Sequence, residues 1–110
     1  MSDLSAQQDF FDALCLWGTA IKSLGYRATF GDAFRDSRAT FPYAEPGGFH
    51  SRRLAVDVNL FKDRKLLSTV KEWRECGELW VQYGGTWGGN FKSGSRGDAN
   101  HLSWGEGKAV

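Results

Sequence analysis

Several features that identify common classes of protein are scarce or missing in this sequence. Only two cysteines occur, Cys15 and Cys76, and they form neither a C-x-x-C motif nor a regular framework, which argues against a cysteine zinc ribbon and a disulfide scaffold. No apolar run approaches the ~18 residues of a membrane-spanning helix. The net charge of +1 provides no basic field of the kind that nucleic-acid binding requires.

The cysteines and the N-terminal segment indicate where the chain is made. We expect both cysteines to be free thiols buried in helices of a cytoplasmic protein, although the sequence leaves a disulfide between them open. Residues 1–9 are polar and acidic, without the basic and apolar regions of a secretory signal. The chain is therefore expected to be synthesised without a classical signal peptide.

A long amphipathic helix is the clearest predicted element. Apolar residues recur at helical spacing from about Ala6 to Leu24, which predicts one face packed against a core. Ser5 and Gln8 have the spacing of a capping box at its start, and Gly25 is placed to end it. The apolar face consists of Phe10, Leu14, Trp17, Ile21 and Leu24.

Three strands are predicted in the rest of the chain. Residues 26–30 are rich in aromatic and β-branched side chains. Over residues 54–61, aliphatic residues alternate with others at a period of two, which directs them to a core and Asp57 to the opposite face. A turn is predicted over residues 62–65 and a short final strand over residues 101–104.

A second helix is predicted between these strands. Thr69 and Glu72 form a capping box, and the helix is expected to continue to about Tyr83, with Gly77 interrupting it at a cost of about 1 kcal/mol relative to alanine. Its apolar side carries Val70, Trp73, Trp80 and Tyr83. The order helix, strands, helix, strand predicts one small α+β domain in which helices flank a short antiparallel sheet.

The chain has two histidines, and each has an aspartate close by in the sequence. His50 precedes Asp57 by seven residues, and His101 follows Asp98 by three. Two imidazoles and one carboxylate complete the ligand set of a catalytic zinc and leave one position open for water. Residues seven apart in an extended strand are more than about 20 Å apart, so sharing an ion requires His50 to lie on a loop that folds back.

Two segments of the chain resemble the zinc motifs of the VanY-type peptidoglycan peptidases. Residues 49–63 resemble the first motif, and residues 84–91 followed by 98–101 resemble the second. Residues 25–35 resemble the segment that precedes them, in which an arginine faces the substrate. The family includes D-Ala-D-Ala carboxypeptidases and phage endolysins that act as L-alanyl-D-glutamate endopeptidases. The resemblance extends over about residues 25–104 and implies the fold common to hedgehog proteins and D-Ala-D-Ala peptidases.

The resemblance also implies a role for individual residues. His50, Asp57 and His101 take the places of the zinc ligands. Asp98 takes the place of the catalytic carboxylate, which acts as a base toward the attacking water and then as an acid toward the leaving amine. Arg35 takes the place of the residue that binds a carboxylate of the substrate, for which a guanidinium is well suited.

Two positions depart from the family pattern. Gly48 stands where the family often has serine, and Arg53 stands where it often has glycine, three residues after His50. Neither position is a metal ligand, so the departures bear on the binding of substrate. Arg27 and Arg53 are alternatives to Arg35 as the arginine that binds a carboxylate.

These expectations combine into one functional hypothesis. Residues 1–110 are expected to form a single monomeric Zn²⁺ peptidase domain, without a separate wall-binding domain, that cleaves the stem peptide of bacterial peptidoglycan. A phage or prophage endolysin of the L-alanyl-D-glutamate endopeptidase type is favoured, made in the host cytoplasm and acting on the wall in the periplasm. No nucleic-acid partner and no membrane insertion are expected.

Two alternatives remain open from the sequence. One is a D-Ala-D-Ala carboxypeptidase, which uses the same residues on a different bond. The other is a catalytically inactive, zinc-containing module that binds the cell wall. Asp98 argues against the inactive module, because binding alone does not require that carboxylate.

Overall fold

The computed structural model describes residues 3–31, 53–90 and 98–105. This part of the chain contains two α-helices, five β-strands and one short 3₁₀ turn over Gly88–Asn90. The helices are α1 (Asp3–Ser23) and α2 (Val70–Gln82). The strands are β1 (Tyr26–Phe30), β2 (Ala55–Lys62), β3 (Lys65–Leu67), β4 (Thr86–Trp87) and β5 (His101–Ser103).

The sheet is built around β2, and all its strand pairs are antiparallel. Strand β1 lies along one edge of β2. The other edge is shared, since β3 pairs with residues 60–62 and β5 pairs with residues 55–57. Strand β4 lies beyond β5. The predicted α+β class with a short antiparallel sheet is confirmed.

The side chains of β2 alternate between two chemically different faces of the sheet. Val56, Val58 and Leu60 are buried in the core against the helices, as the period of two predicts. Asp57 and Asn59 alternate with them and lie on the opposite face, which we call the outer face.

Helix α1 differs from its prediction at both ends. It begins at Asp3, so Ser5 lies within the first turn and is not the N-cap residue; the predicted Ser5–Gln8 capping box is wrong. The apolar face is confirmed for Phe10, Trp17 and Ile21, which are buried. Leu24 follows the helix and is 45% exposed, and Gly25 adopts the left-handed conformation expected of a residue that ends a helix (φ +94°).

Helix α2 starts with the predicted capping box. The Thr69 hydroxyl accepts a hydrogen bond from the Glu72 amide at 3.1 Å, and the Glu72 carboxylate accepts one from the Thr69 amide at 3.2 Å. Backbone hydrogen bonds from Ser68 and Thr69 are the main reason that the pKa of the Glu72 carboxyl lies below its usual value. The helix ends at Gln82, one residue before the predicted end.

The predicted turn after β2 is confirmed, but strand β3 was not predicted. Asp63 and Arg64 both have positive φ, at 52° and 67°, as the two central residues of a type I′ hairpin turn do. This turn leads β2 directly into β3, which is only three residues long. A strand of that length is too short for its alternation to stand out in a sequence.

Tryptophans organise the core between α1, α2 and the sheet. Trp17 stacks on Trp73 with the ring centroids 6.3 Å apart and meets Trp80 edge to face at 6.1 Å. Their indole nitrogens donate to main-chain carbonyls, as in the 2.8 Å bond from Trp17 to Cys76. Each large ring is thereby fixed in orientation as well as buried.

The two cysteines are free, and they differ in exposure. Cys76 is buried in α2 as predicted, and burial raises the pKa of its thiol to about 12. Cys15 is exposed on α1, so the expectation that it is buried is wrong. None of the helices in the described ranges has the length and apolarity needed to cross a membrane.

Candidate metal and catalytic site

Asp57 and His101 face each other on the outer face of the sheet. They are direct partners in the register between β2 and β5. The Asp57 Oδ1 and His101 Nδ1 atoms are 3.7 Å apart, with 23% and 9% of the two side chains exposed. Residues far apart in the sequence are thus brought together by strand pairing, in a site mostly shielded from solvent.

The backbone hydrogen bonds explain why these two side chains approach so closely. Gly31 donates its amide to the Asp57 carbonyl at 2.7 Å, so this carbonyl points toward β1 and away from β5. Asp57 and His101 therefore form a non-hydrogen-bonded pair of the antiparallel ladder, in which the side chains lie closer than in the alternate pairs. The next residue, Val58, donates toward the other edge, to the Asn100 carbonyl at 2.9 Å.

Asp98 begins the turn that leads into His101. The His101 amide donates to the Asp98 carbonyl at 3.1 Å, and the Asp98 amide donates to the Gly88 carbonyl at 2.9 Å. A β-carbon at Gly88 would lie 2.2 Å from the Asp98 carbonyl oxygen, so only glycine allows this approach. The Asp98 backbone is held in place while the residue itself is exposed at the surface.

Trp87 fixes the same turn from the side of the core. Its Nε1 donates to the Ala99 carbonyl at 2.7 Å, and its ring is fully buried. Trp87 is thus a core residue that also positions the turn between Asp98 and His101, a role that the sequence analysis missed. The glycines after Trp87 are the signal that could have shown it, because Gly88 permits the close approach of the Asp98 backbone and Gly89 that of the Trp87 ring.

The comparison with protein families agrees with this arrangement. A model of the D-alanyl-D-alanine carboxypeptidase family matches residues 45–104, which is more than half of the chain. The chain belongs to this family. The VanY-type resemblance is thereby confirmed, and with it a peptidase that acts on peptidoglycan. No curated protein matches the chain.

The pair of donors in this peptidase fits two positions of a zinc site. Ligand bonds of about 2.1 Å in a tetrahedral arrangement place two donor atoms about 3.4 Å apart, close to the 3.7 Å between Asp57 and His101. That distance is too long for a direct hydrogen bond between them. One imidazole nitrogen and one carboxylate oxygen are also donors that zinc accepts.

The structure brings together part of the predicted ligand set. Within the described ranges, no three histidine, cysteine, aspartate or glutamate side chains form a group that could hold a metal ion, so Asp98 does not complete a triad with Asp57 and His101. His50, the third predicted ligand, and Arg35, the predicted substrate arginine, lie outside the described residues. Their roles stay predictions.

The two alternative arginines occupy different places. Arg27 is exposed on β1, opposite Phe61 in the register and thus on the outer face of the sheet. Arg53 is exposed just before β2 and has a left-handed backbone, with φ of 59°. This conformation explains why glycine is common at that position in the family, since glycine adopts it without steric cost.

Proposed function

We propose that the chain is a zinc peptidase that hydrolyses an amide bond in the stem peptide of peptidoglycan, with the specificity of an L-alanyl-D-glutamate endopeptidase of the endolysin type. The observation that carries the proposal is the pairing of Asp57 with His101 across β2 and β5, beside the turn that starts at Asp98. All three residues lie within the match to the family.

Asp57 and His101 are proposed to hold the zinc, together with His50. The metal, when bound, lowers the pKa of a water toward neutrality and polarises the carbonyl of the scissile bond. The protein's contribution is a fixed pair of donors on neighbouring strands, oriented by the register and shielded from most of the solvent.

Asp98 is proposed to move the proton. Its carboxylate takes a proton from the attacking water and delivers it to the amine that leaves when the C–N bond breaks. The hydrogen bonds to Gly88 and His101 support this role, because they fix the Asp98 backbone relative to the histidine ligand. Arg35 is proposed to bind a carboxylate of the stem peptide.

A D-Ala-D-Ala carboxypeptidase is the second candidate, favoured by the description of the matched family. The family that both motifs resemble includes phage endopeptidases as well as carboxypeptidases, so the two activities have to be separated by experiment. Mass spectrometry of digested muropeptides separates the two activities. We expect release of peptides that begin with D-glutamate; loss of single terminal alanines would replace the endopeptidase by the carboxypeptidase.

Activity itself is tested by lysis of cells with a permeabilised outer membrane. The turbidity of a suspension should fall with the parent protein and with Asp12→Ala, a change at an exposed aspartate on α1. It should stay constant with Asp98→Ala. Equal lysis by all three proteins would remove Asp98 from the mechanism, and lysis by none would exclude the lytic endopeptidase and leave the carboxypeptidase and the inactive wall-binding module.

A further inference from the structure

The shared edge of β2 contains a gap between its two partner strands. Strand β3 pairs with β2 as far as Leu60 and β5 as far as Asp57, so residues 58–59 lie between the two partner strands, where the Val58 amide donates to the Asn100 carbonyl. A cavity of about 350 Å³ opens there, lined by residues 58–59, 66–68 and 98–100. We call it the edge notch. Asp98 is one of its lining residues, so the notch adjoins the proposed catalytic carboxylate.

Hydrogen bonds hold both walls of the edge notch in place. On one side, the Trp73 Nε1 donates to the Leu67 carbonyl at 3.1 Å, and the Ser68 amide donates to the Glu72 carboxylate at 3.1 Å. On the other side, the Trp87 Nε1 bond to Ala99 fixes the turn. Since these contacts exist in the protein by itself, the notch is formed before a ligand arrives.

The orientation of Asn59 gives the edge notch a hydrogen-bond acceptor. The Asn59 Nδ2 donates to the Thr29 hydroxyl at 3.3 Å, across the edge shared with β1. With the nitrogen held by Thr29, the oxygen is the atom of the Asn59 amide that is left to accept, and Asn59 is one of the residues that line the notch. Its oxygen can accept a hydrogen bond from a ligand there.

The remaining lining residues define the chemistry of the ligand. Leu66 and Leu67 offer apolar contacts for a methylene chain. Ser68 and Asp98 add oxygen acceptors to that of Asn59, and the described lining residues include no cation. A site of this kind suits an aliphatic side chain that ends in an ammonium group.

We infer that the edge notch binds the side chain of the diamino acid of the stem peptide through its free amino group. The inference rests on the proposed function, because it takes the stem peptide as substrate. In the sequence L-Ala, D-Glu, diamino acid, D-Ala, D-Ala, the diamino acid is one residue away from the bond that the proposed endopeptidase cleaves, on the side of the leaving amine. Its side chain therefore lies near Asp98, which is proposed to deliver a proton to that amine.

The test compares two synthetic stem pentapeptides that differ only in having lysine or norleucine at the third position. For the parent protein loaded with zinc, kcat/KM should be about tenfold higher for the lysine peptide, the effect of one charge-assisted hydrogen bond. In Asn59→Leu the preference should fall to about twofold or less. Ser68→Ala, which removes a second acceptor, should lower it as well.

Gln82→Leu is the matched control, because it removes an exposed amide at the end of α2, away from the notch. It should keep the preference for lysine. Equal rates for the two peptides with the parent, or an undiminished preference in Asn59→Leu, would overturn the inference. If neither peptide is cleaved, the proposed function fails, and calorimetric affinities of the same peptides for parent and Asn59→Leu protein still decide the role of the notch.

Discussion

The ring of Trp87 packs directly on the α-carbon of Gly77, so closely that a β-carbon at this position would lie 2.2 Å from the ring. The Nε1 of the same ring system donates to the Ala99 carbonyl. Gly77 lowers the helix propensity of α2, but its lack of a side chain leaves the space that the Trp87 ring occupies. Trp87 in turn positions the turn before His101.

Gly77→Ala should therefore destabilise the protein, although alanine is the better helix former. We expect the free energy of unfolding to fall by up to about 2 kcal/mol, since the ~1–3 kcal/mol cost of overpacking outweighs the ~1 kcal/mol gained in helix propensity. Urea denaturation followed by circular dichroism measures the change. Gly18→Ala in α1 is the control: a β-carbon there meets nothing within 4 Å, and a gain of up to about 1 kcal/mol is expected. A stable Gly77→Ala would contradict this account of the contact.

Substitution of the paired donors should remove zinc from the protein. We expect Asp57→Ala and His101→Ala to lose bound metal after dialysis, because each change deletes one ligand of a three-ligand site. Asp98→Asn should keep the metal while activity drops by about 10²–10⁴-fold, since only proton transfer is lost. Elemental analysis of the dialysed proteins, with Asp12→Asn as control, gives the metal content. Full zinc content in His101→Ala would exclude His101 as a ligand.

The hairpin turn between β2 and β3 offers a stabilising substitution. Arg64 has φ of 67°, and Asp-Gly is a preferred pair at the centre of a type I′ turn. Arg64→Gly should raise the free energy of unfolding by about 1 kcal/mol, as it removes the steric cost of the left-handed conformation. Lys65→Gly, one residue later in β3, should instead lower it by about 0.5–1 kcal/mol. Thermal melts of both variants measure the two changes in stability. A shift of both melting temperatures in the same direction would argue against the type I′ geometry of the turn.

The two thiols should react at very different rates with a disulfide reagent. Cys15 is exposed, whereas Cys76 is buried and its thiol has a pKa of about 12, so it stays protonated near pH 8. One thiol per native chain should be labelled rapidly and a second only after denaturation. Cys15→Ser should abolish the rapid phase. Two rapid thiols in the native protein would place Cys76 at the surface.

Features encoded within one short segment were predictable from the sequence. The capping box at Thr69 and the alternation along β2 depend on residues a few positions apart, and both are present as expected. The start of α1 was missed because Ser5 and Gln8 have capping-box spacing inside a helix that begins earlier. Local spacing alone does not distinguish the first turn of a helix from the residues before it.

The geometry of the candidate site was not predictable from the sequence. Asp57 and His101 are each visible as candidate ligands, whereas the register that pairs them depends on contacts between distant segments. The same holds for Trp87, whose position against Gly77 and Ala99 decides where the turn lies. Long-range packing of this kind leaves no periodic pattern in the chain.

The bond between Trp87 and Ala99 also has an optical consequence. It places an indole fluorophore one hydrogen bond away from the segment that carries Asp98 and His101. A ligand that moves this segment changes the surroundings of the indole, so the intrinsic emission of the protein reports events at the outer face of the sheet without an added label.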